Sequence, residues 1–283
     1  MFHPIEPFWR MRPRFLIIGA QKAGTTALHY YLARHPSLYS GARKELGYFS
    51  HEMFREWEDH PYRTVFERLE HDSGDPAVHR KGLRWYRSRF PWIRPWRRAL
   101  AFESTPAYLA SEQAPQRIAA YQPDMKLIAI LRDPVERAYS AWNMMNKFSK
   151  PPYNRLRDER SFETAIEDEF AQMEGAPASG SKGYLRRGIY HIQIKRYFEL
   201  FEKKNMLILE HRDFEEETAR ILEQVCDFLD VPRFAKGKEW PRILAGDYDQ
   251  QMSASMRDRL RKFFAPHNAQ LGTLLGRDVD HWA

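Results

Sequence analysis

Two short segments have the composition to hold phosphate groups. Gly19-Ala20-Gln21-Lys22-Ala23-Gly24-Thr25-Thr26 carries the G-x-x-x-x-G spacing of a phosphate-binding loop, between an apolar run and a helical pattern. In that context backbone N–H groups of the loop and of the next helix's first turn point at an anion. Lys22 precedes the second glycine by two residues, and Thr25 stands where an ATPase loop has its lysine. The other segment is Arg132-Asp133-Pro134, which follows the apolar run Lys126 to Leu131. A Walker-type enzyme needs an acidic group at the end of such a strand to organise Mg²⁺. Arg132 comes first here, and a cation suits a further phosphate better than a metal. A P-loop kinase or NTPase is the runner-up reading, and a glycine turn followed by a capped helix with no ligand is the plain alternative.

The elements that must position these residues can be read around them. Arg14 to Gly19 is a short apolar strand, and Thr25 to Arg34 a helix with Leu28, Tyr31 and Leu32 on one face. Lys126 to Leu131 has the continuous apolar character of a strand buried on both faces. Asp133 is a suitable N-cap and Pro134 a suitable first helical residue, opening a helix whose Val135, Ala138, Tyr139, Trp142 and Met145 form the core stripe. Further strands are predicted at 99–102 and 206–209. Helices are predicted at about 112–121, 161–173, 188–203, 214–229 and 253–275, the last broken near Pro266. Strands alternating with helices give an α/β fold with a central, mainly parallel sheet flanked by helices, whose ligands bind at the carboxyl ends of the strands.

Bulk properties bound the rest. With 283 residues, 43% hydrophobic and 29% charged, residues 1–283 are expected to form one soluble α/β domain. Lysine and arginine number 45 against 38 aspartates and glutamates, a net charge of +7 that favours anionic partners without choosing among them. Cys226 is the only cysteine, which excludes an intramolecular disulfide and a multi-cysteine metal site; it lies in an apolar helical stretch and reads as a buried, inert thiol. The apolar run Phe15 to Ile18 is too short for a signal-peptide core or a membrane span, so a cytoplasmic protein with no transmembrane anchor is expected. Glu174 to Gly183 reads as a small-residue loop.

FLIIGAQKAGTTALHYYL and KLIAILRDPVERAYSAW resemble the 5′-phosphosulfate loop and the 3′-phosphate element of sulfotransferases that use 3′-phosphoadenosine 5′-phosphosulfate (PAPS). KELGYFS at 44–50, GLRWYRSRFP at 82–91, FESTPAYL at 102–109 and the C-terminal segment 260–282 match further family segments in order. The resemblance is to the heparan sulfate and glycosaminoglycan branch and its bacterial relatives, and it runs over nearly the whole chain. It implies a P-loop-like three-layer sandwich and metal-independent transfer of a sulfuryl group from PAPS to a hydroxyl or amine, leaving 3′-phosphoadenosine 5′-phosphate (PAP). The implied acceptor is a carbohydrate or a hydroxylated small molecule, not nucleic acid, and the implied setting is a bacterial cytoplasm.

By that resemblance Lys22, Ala23, Gly24, Thr25 and Thr26 bind the 5′-phosphosulfate, and Lys22 neutralises the departing nucleotide oxygen. Arg132 and Ser140 match the pair that holds the 3′-phosphate. Glu45 matches the general base, and Lys44 beside it could orient the acceptor or the donor sulfonate. Glu103, Trp85 and Tyr108 are implied in acceptor binding. The eukaryotic 3-O-sulfotransferases carry lysine where this chain has Ser104, so one cation of the site is missing. The basic loop that closes over the donor in the animal enzymes is unrecognisable around Gly246 to Asp249. Arg84 to Arg98 interleaves six arginines with Trp85, Tyr86, Phe90, Trp92 and Trp96, and part of it is expected to line the acceptor cleft, with core packing, solvation or a membrane surface as alternatives. A nucleic-acid binder using that segment is a third reading, weakened by the lack of a recognition motif. His51 is a rival base whose context does not match; Arg187, Gly188 and Tyr190 match a segment that flanks the active site, where capping and core roles are equally open.

Overall fold

The computed structural model describes residues 9–50, 76–93, 99–150, 153–175, 182–235, 237–241, 243 and 251–282. Five parallel strands form its central sheet: β2 (Pro13–Gly19), β3 (Leu38–Ser40), β5 (Leu100–Ser104), β6 (Lys126–Leu131) and β7 (Met206–Glu210), in the order β3-β5-β2-β6-β7. A separate antiparallel pair joins β1 (Trp9–Arg10) to β4 (Trp92–Ile93). Phe15 to Ile18 and Leu127 to Leu131 are buried on alternate and successive positions alike, as a sheet covered on both faces by helices requires. β-Branched and apolar residues occupy these strands because no face is left to solvent.

β2 lies where strand addition reverses. From β2 the chain passes through α1 (Thr25–Leu32) to β3 on one side, and β6 and β7 are added on the other. The crevice outside the carboxyl end of β2 is therefore the place where an open parallel sheet binds ligands. The helices along the chain are α2 (Pro76–Ser88), α3 (Ala107–Ala110), α4 (Ala114–Tyr121), α5 (Pro134–Asn146), α6 (Phe162–Met173), α7 (Tyr190–Phe198), α8 (His211–Glu216), α9 (Thr218–Leu229) and α10 (Ala254–Leu275). Among the described residues no helix is long and apolar enough to cross a membrane.

Two expected elements come out differently. The stretch expected as one helix from 214 to 229 is two, α8 and α9, separated at Glu217, whose φ of −129° and ψ of 46° leave the helical region. The break expected at Pro266 is absent, and α10 runs through it. Pro266 is on the exposed side of the helix while Phe264, Asn268 and Leu271 are buried. The carbonyl that loses its partner can thus turn to water, and the buried face holds the helix together.

Candidate functional site

The phosphate loop leaves β2 under tight steric control. A Cβ on Gly19 would lie 2.5 Å from Leu109 Cβ, so only glycine lets the loop pass α3. Ala20 N–H donates to Ile130 O at 2.7 Å, tying the loop to β6. Lys22 and Gly24 both have positive φ, 69° and 89°. For Gly24 this requires no side-chain compensation. For Lys22 it is a strained conformation held by its surroundings, among them Arg132 Nη1, which donates to Lys22 O at 3.2 Å. The first turn of α1 has no side-chain cap, whereas α5, α6 and α10 are capped by Asp133, Ser161 and Ser253. Uncapped N–H groups at a helix N-terminus suit an anionic ligand.

Arg132 stands at the carboxyl end of β6, and its carbonyl accepts from Tyr190 Oη at 2.9 Å. Asp133 caps α5 through Val135 N at 2.8 Å, as its position before Pro134 predicts. Ser140 is buried two turns along α5, at 5% exposure, and no hydrogen bond joins it to Arg132. Beside Arg132 a cavity of about 270 Å³ opens at the ends of β6 and β7, lined by Leu131, His211, Arg212, His281 and Trp282 among others.

The Glu45 loop follows β3, which β5 separates from β2, and it approaches the phosphate loop by folding over the end of β5; β5 pairs with β2, an alignment continued by Thr105 N–H donating to Ile17 O at 3.0 Å. Glu45 has φ of 63° and is held by its own N–H, which donates to Ser104 O at 2.9 Å. Gly47 N–H reaches Thr105 Oγ1 at 3.2 Å and Phe49 N–H reaches Tyr108 Oη at 3.4 Å. The Glu45 carboxylate is 45% exposed and ion-paired with Lys44, an arrangement that leaves it open to an incoming group.

Glu103 and Tyr108, expected to touch the acceptor, are both fully buried. Glu103 lies on β5, which is buried from Ala101 to Ser104, and Tyr108 on α3, and neither side chain is exposed. Glu103 instead accepts from Tyr108 Oη and, at 3.3 Å, from Tyr86 Oη, beneath the loop that carries Glu45. Burial raises the Glu103 pKa to about 7, against the opposing effect of the two tyrosine hydroxyls, the Leu46 N–H and the Thr105 hydroxyl; its Oε2 has no well-formed hydrogen bond. Ser104 is also buried, and its Oγ lies 2.8 Å from His29 Nδ1. Burial, then the charge of Lys44, lowers His29 to a pKa of about 4, so the pair is neutral at ordinary pH.

The aromatic-basic segment divides. Tyr86 and Phe90 are core residues, Trp85 is half-buried with the Arg89 guanidinium 5.5 Å from its ring centre, and Trp92 is 56% exposed under Arg10. Ala42 N–H donates to Arg89 O at 2.7 Å, so this surface adjoins the Glu45 loop. Arg94, Arg97 and Trp96 lie outside the described residues, as do His51 and Gly246 to Asp249. Cys226 is buried, which pushes its thiol to a pKa of about 11.

Two arginines escaped the sequence reading of the site's centre. Arg137 is fully buried on α5 and donates to Tyr184 O. Arg187, in the turn before α7, reaches Gln21 Oε1 at 3.3 Å. An arginine set among the core residues Val135, Ala138 and Ala141 is the signal that would have marked Arg137. Arg187 had a family match, but only the folded chain shows that it faces the phosphate loop.

Residues 12–236 match the sulfotransferase domain family, and the chain belongs to it. It is a PAPS-dependent sulfotransferase, and a kinase is not favoured. The chain is 27% identical, over 94% of its length, to the bifunctional heparan sulfate N-deacetylase/N-sulfotransferase 4 of Mus musculus, and 28% identical, over 95%, to enzyme 2 of the same name from Bos taurus. It spans about 30% of the length of each of these relatives. A crystal structure of a sulfotransferase from Alicyclobacillus acidocaldarius superposes with a TM-score of 0.69 at 26% identity, covering 96% of this chain and 98% of that one.

Proposed function

We propose that residues 1–283 act as one sulfotransferase domain that moves a sulfuryl group from PAPS to a hydroxyl or amine of a saccharide, with Glu45 as general base. The donor's 5′-phosphosulfate lies on the loop formed by Lys22, Ala23, Gly24, Thr25 and Thr26. Arg132, with Ser140 behind it, takes the 3′-phosphate at the mouth of the adjoining cavity. Glu45 removes the acceptor proton as the nucleophile attacks sulfur in line with the leaving nucleotide. The charge that develops on the departing phosphate oxygen is met by Lys22, an interaction stronger in the transition state than in the ground state.

The observation that supports this reading is that the Glu45 loop, which follows β3, folds over the end of β5, where Glu45 N–H donates to Ser104 O, and β5 is paired with β2, the strand that carries the Lys22 loop. Donor cation and proton acceptor thus face one crevice. A saccharide is favoured by the exposed Trp92, the half-buried Trp85 and the neighbouring Arg10 and Arg89, since flat rings stack on sugars and guanidinium groups pair with their acidic substituents. The heparan sulfate relatives favour it too. Glu103 and Tyr108 support the loop in this scheme, and Lys44 holds the Glu45 carboxylate until an acceptor displaces it. A bacterial cytoplasmic setting is proposed on the likeness to the Alicyclobacillus enzyme.

The test is transfer of label from PAPS to N-desulfated heparin, with a simple phenol as the contrasting acceptor. Saccharide labelling that falls about 100-fold or more in kcat in Glu45→Gln, with PAP affinity unchanged, supports both base and acceptor class. Labelling of the phenol alone would overturn the acceptor, and a fully active Glu45→Gln would overturn the base.

A further inference from the structure

We propose that Arg187 is a second donor-site cation, contacting the sulfonate oxygens of PAPS and supplying the positive charge that Ser104 cannot. The proposal rests on the donor site just described and adds a residue to it.

Arg187 is placed by a turn with little freedom. Gly188 has no room for a Cβ, which would lie 2.8 Å from the Phe264 ring and 3.0 Å from Pro134 Cβ. Gly183, at φ of 71°, lies under the Arg187 side chain, and a Cβ there would meet Arg187 Nε at 3.4 Å. Tyr190 Oη fastens the far end of the turn to Arg132 O. The turn is thus pressed against the start of α5, and from it Arg187 Nη1 reaches Gln21 Oε1 on the phosphate loop. Gln21 immediately precedes Lys22. The Glu45 carboxylate also acts on the same guanidinium electrostatically, so Arg187 is near both the donor loop and the proposed base.

The charges around it are unbalanced. Burial, then the neighbouring Arg137, lowers the Arg187 pKa to about 10, while Glu169 and Glu45 oppose the shift. The partner that the Arg187 guanidinium does reach, Gln21 Oε1, belongs to a neutral amide. Behind it, Arg137 is fully buried with Nε and Nη1 lacking hydrogen-bond partners, and it feels Arg132 as well. Arg132, Arg137 and Arg187 therefore form a cluster of cations at the strand ends. Glu169, the carboxylate that acts on both Arg137 and Arg187, accepts from the N–H groups of Tyr184 and Leu185 at 2.8 Å and 2.7 Å. Cations withdrawn from water without matched anions lower their energy when an anionic ligand arrives. Arg132 faces the 3′-phosphate side, Lys22 the leaving oxygen, and Arg187 the remaining position, on the Glu45 side of the loop where the sulfonate must lie to be attacked. Ser104 is buried against His29 and carries no charge to that position.

The experiment compares PAPS with PAP, which differ by the sulfonate, in calorimetric titrations without acceptor. For Arg187→Ala the PAPS affinity should fall roughly tenfold relative to wild type, the size expected for one charge-assisted contact, while PAP affinity stays within about twofold. Arg187→Lys should lose less of the PAPS affinity, because it keeps the charge without the fork, and this variant carries the test if the alanine form does not fold. Arg186→Ala, the exposed neighbour on the same turn, should match wild type. Equal losses for both nucleotides, or none, would overturn the sulfonate contact while leaving the donor site in place. A wild-type protein that binds neither nucleotide would overturn the donor site itself.

Discussion

The phosphate loop leaves β2 and the Glu45 loop leaves β3, two strands of one sheet with β5 between them, and each sets a charged residue at positive φ, Lys22 at 69° and Glu45 at 63°. Such residues are sterically disfavoured, at roughly 1–3 kcal/mol each, and persist only where the surroundings fix them. The surroundings differ. Lys22 is fixed by backbone geometry: Gly19 against Leu109, Gly24 at the start of α1, and Arg132 on its carbonyl. Glu45 is held by its own N–H on Ser104 O, and side chains hold its loop from below, Thr105 and Tyr108 on Gly47 and Phe49 and Glu103 on Leu46 N–H. The loop proposed to grip the donor is set mainly by close packing and backbone conformation, while the loop proposed to carry the base rests on a buried polar network.

The largest effect should come from the donor side. Lys22→Ala should lower kcat by roughly 10²–10³, as for loss of a single group that stabilises transition-state charge; single-turnover transfer from labelled PAPS measures this, and a loss below about tenfold would separate the loop's shape from its chemistry. Gly19→Ala should destabilise the fold by roughly 1–3 kcal/mol through the clash with Leu109. Adding Leu109→Ala should recover part of that in a thermal-unfolding double-mutant cycle, and strictly additive losses would show that the close approach is not what constrains Gly19.

On the acceptor side the expected effect is a change of slope. The folded-state pKa of Glu103, about 7, lies above its ordinary value of 4.5, so the folded chain holds this proton more tightly than the unfolded chain. Its contribution to stability is full below the unfolded value and is lost as pH rises through the folded one. Glu103→Gln removes that dependence, so its Tm deficit relative to wild type should shrink between about pH 5 and about pH 7.5. His29, lowered to about 4, acts in the opposite direction between that value and 6.5, but it is common to both proteins and drops out of the comparison. A deficit that does not change with pH would mean that Glu103 is ionised throughout. The smallest effect is expected at the surface: Trp92→Ala should raise a saccharide KM by a few-fold with kcat unchanged, in line with loss of one exposed stacking contact.

The same contrast explains what the sequence disclosed. The strands, loop and helix of the proposed donor half were legible because their signals are local: two glycines at fixed spacing, a lysine between them, and an arginine before a capped helix. β2, β5, β6, β7 and the helix opened by Pro134 followed from apolar runs and one capping pair. The acceptor half was not legible in this way. Glu103 and Tyr108 were expected at the cleft because they share a segment with family site residues, yet whether a side chain faces solvent depends on what covers it, and Glu103 on β5 and Tyr108 on α3 are both fully buried. The three-residue β3 and the two-residue pair β1–β4 are too short to leave a periodic signal. Arg137 and Arg187 belong together only through the docking of the 183–190 turn on α5, a contact between positions about 50 residues apart that no spacing rule reports.

The central claim is that the Lys22 loop and Arg132 form a site for a 3′-phosphorylated nucleotide. Calorimetric titration with PAP, with ADP and Mg²⁺-ATP in parallel, tests it most directly. The account predicts micromolar PAP binding that weakens at least tenfold in Arg132→Ala, with ADP bound weakly and equally by both proteins. PAP binding unaffected by the substitution, or Mg²⁺-ATP bound in preference to PAP, would contradict it.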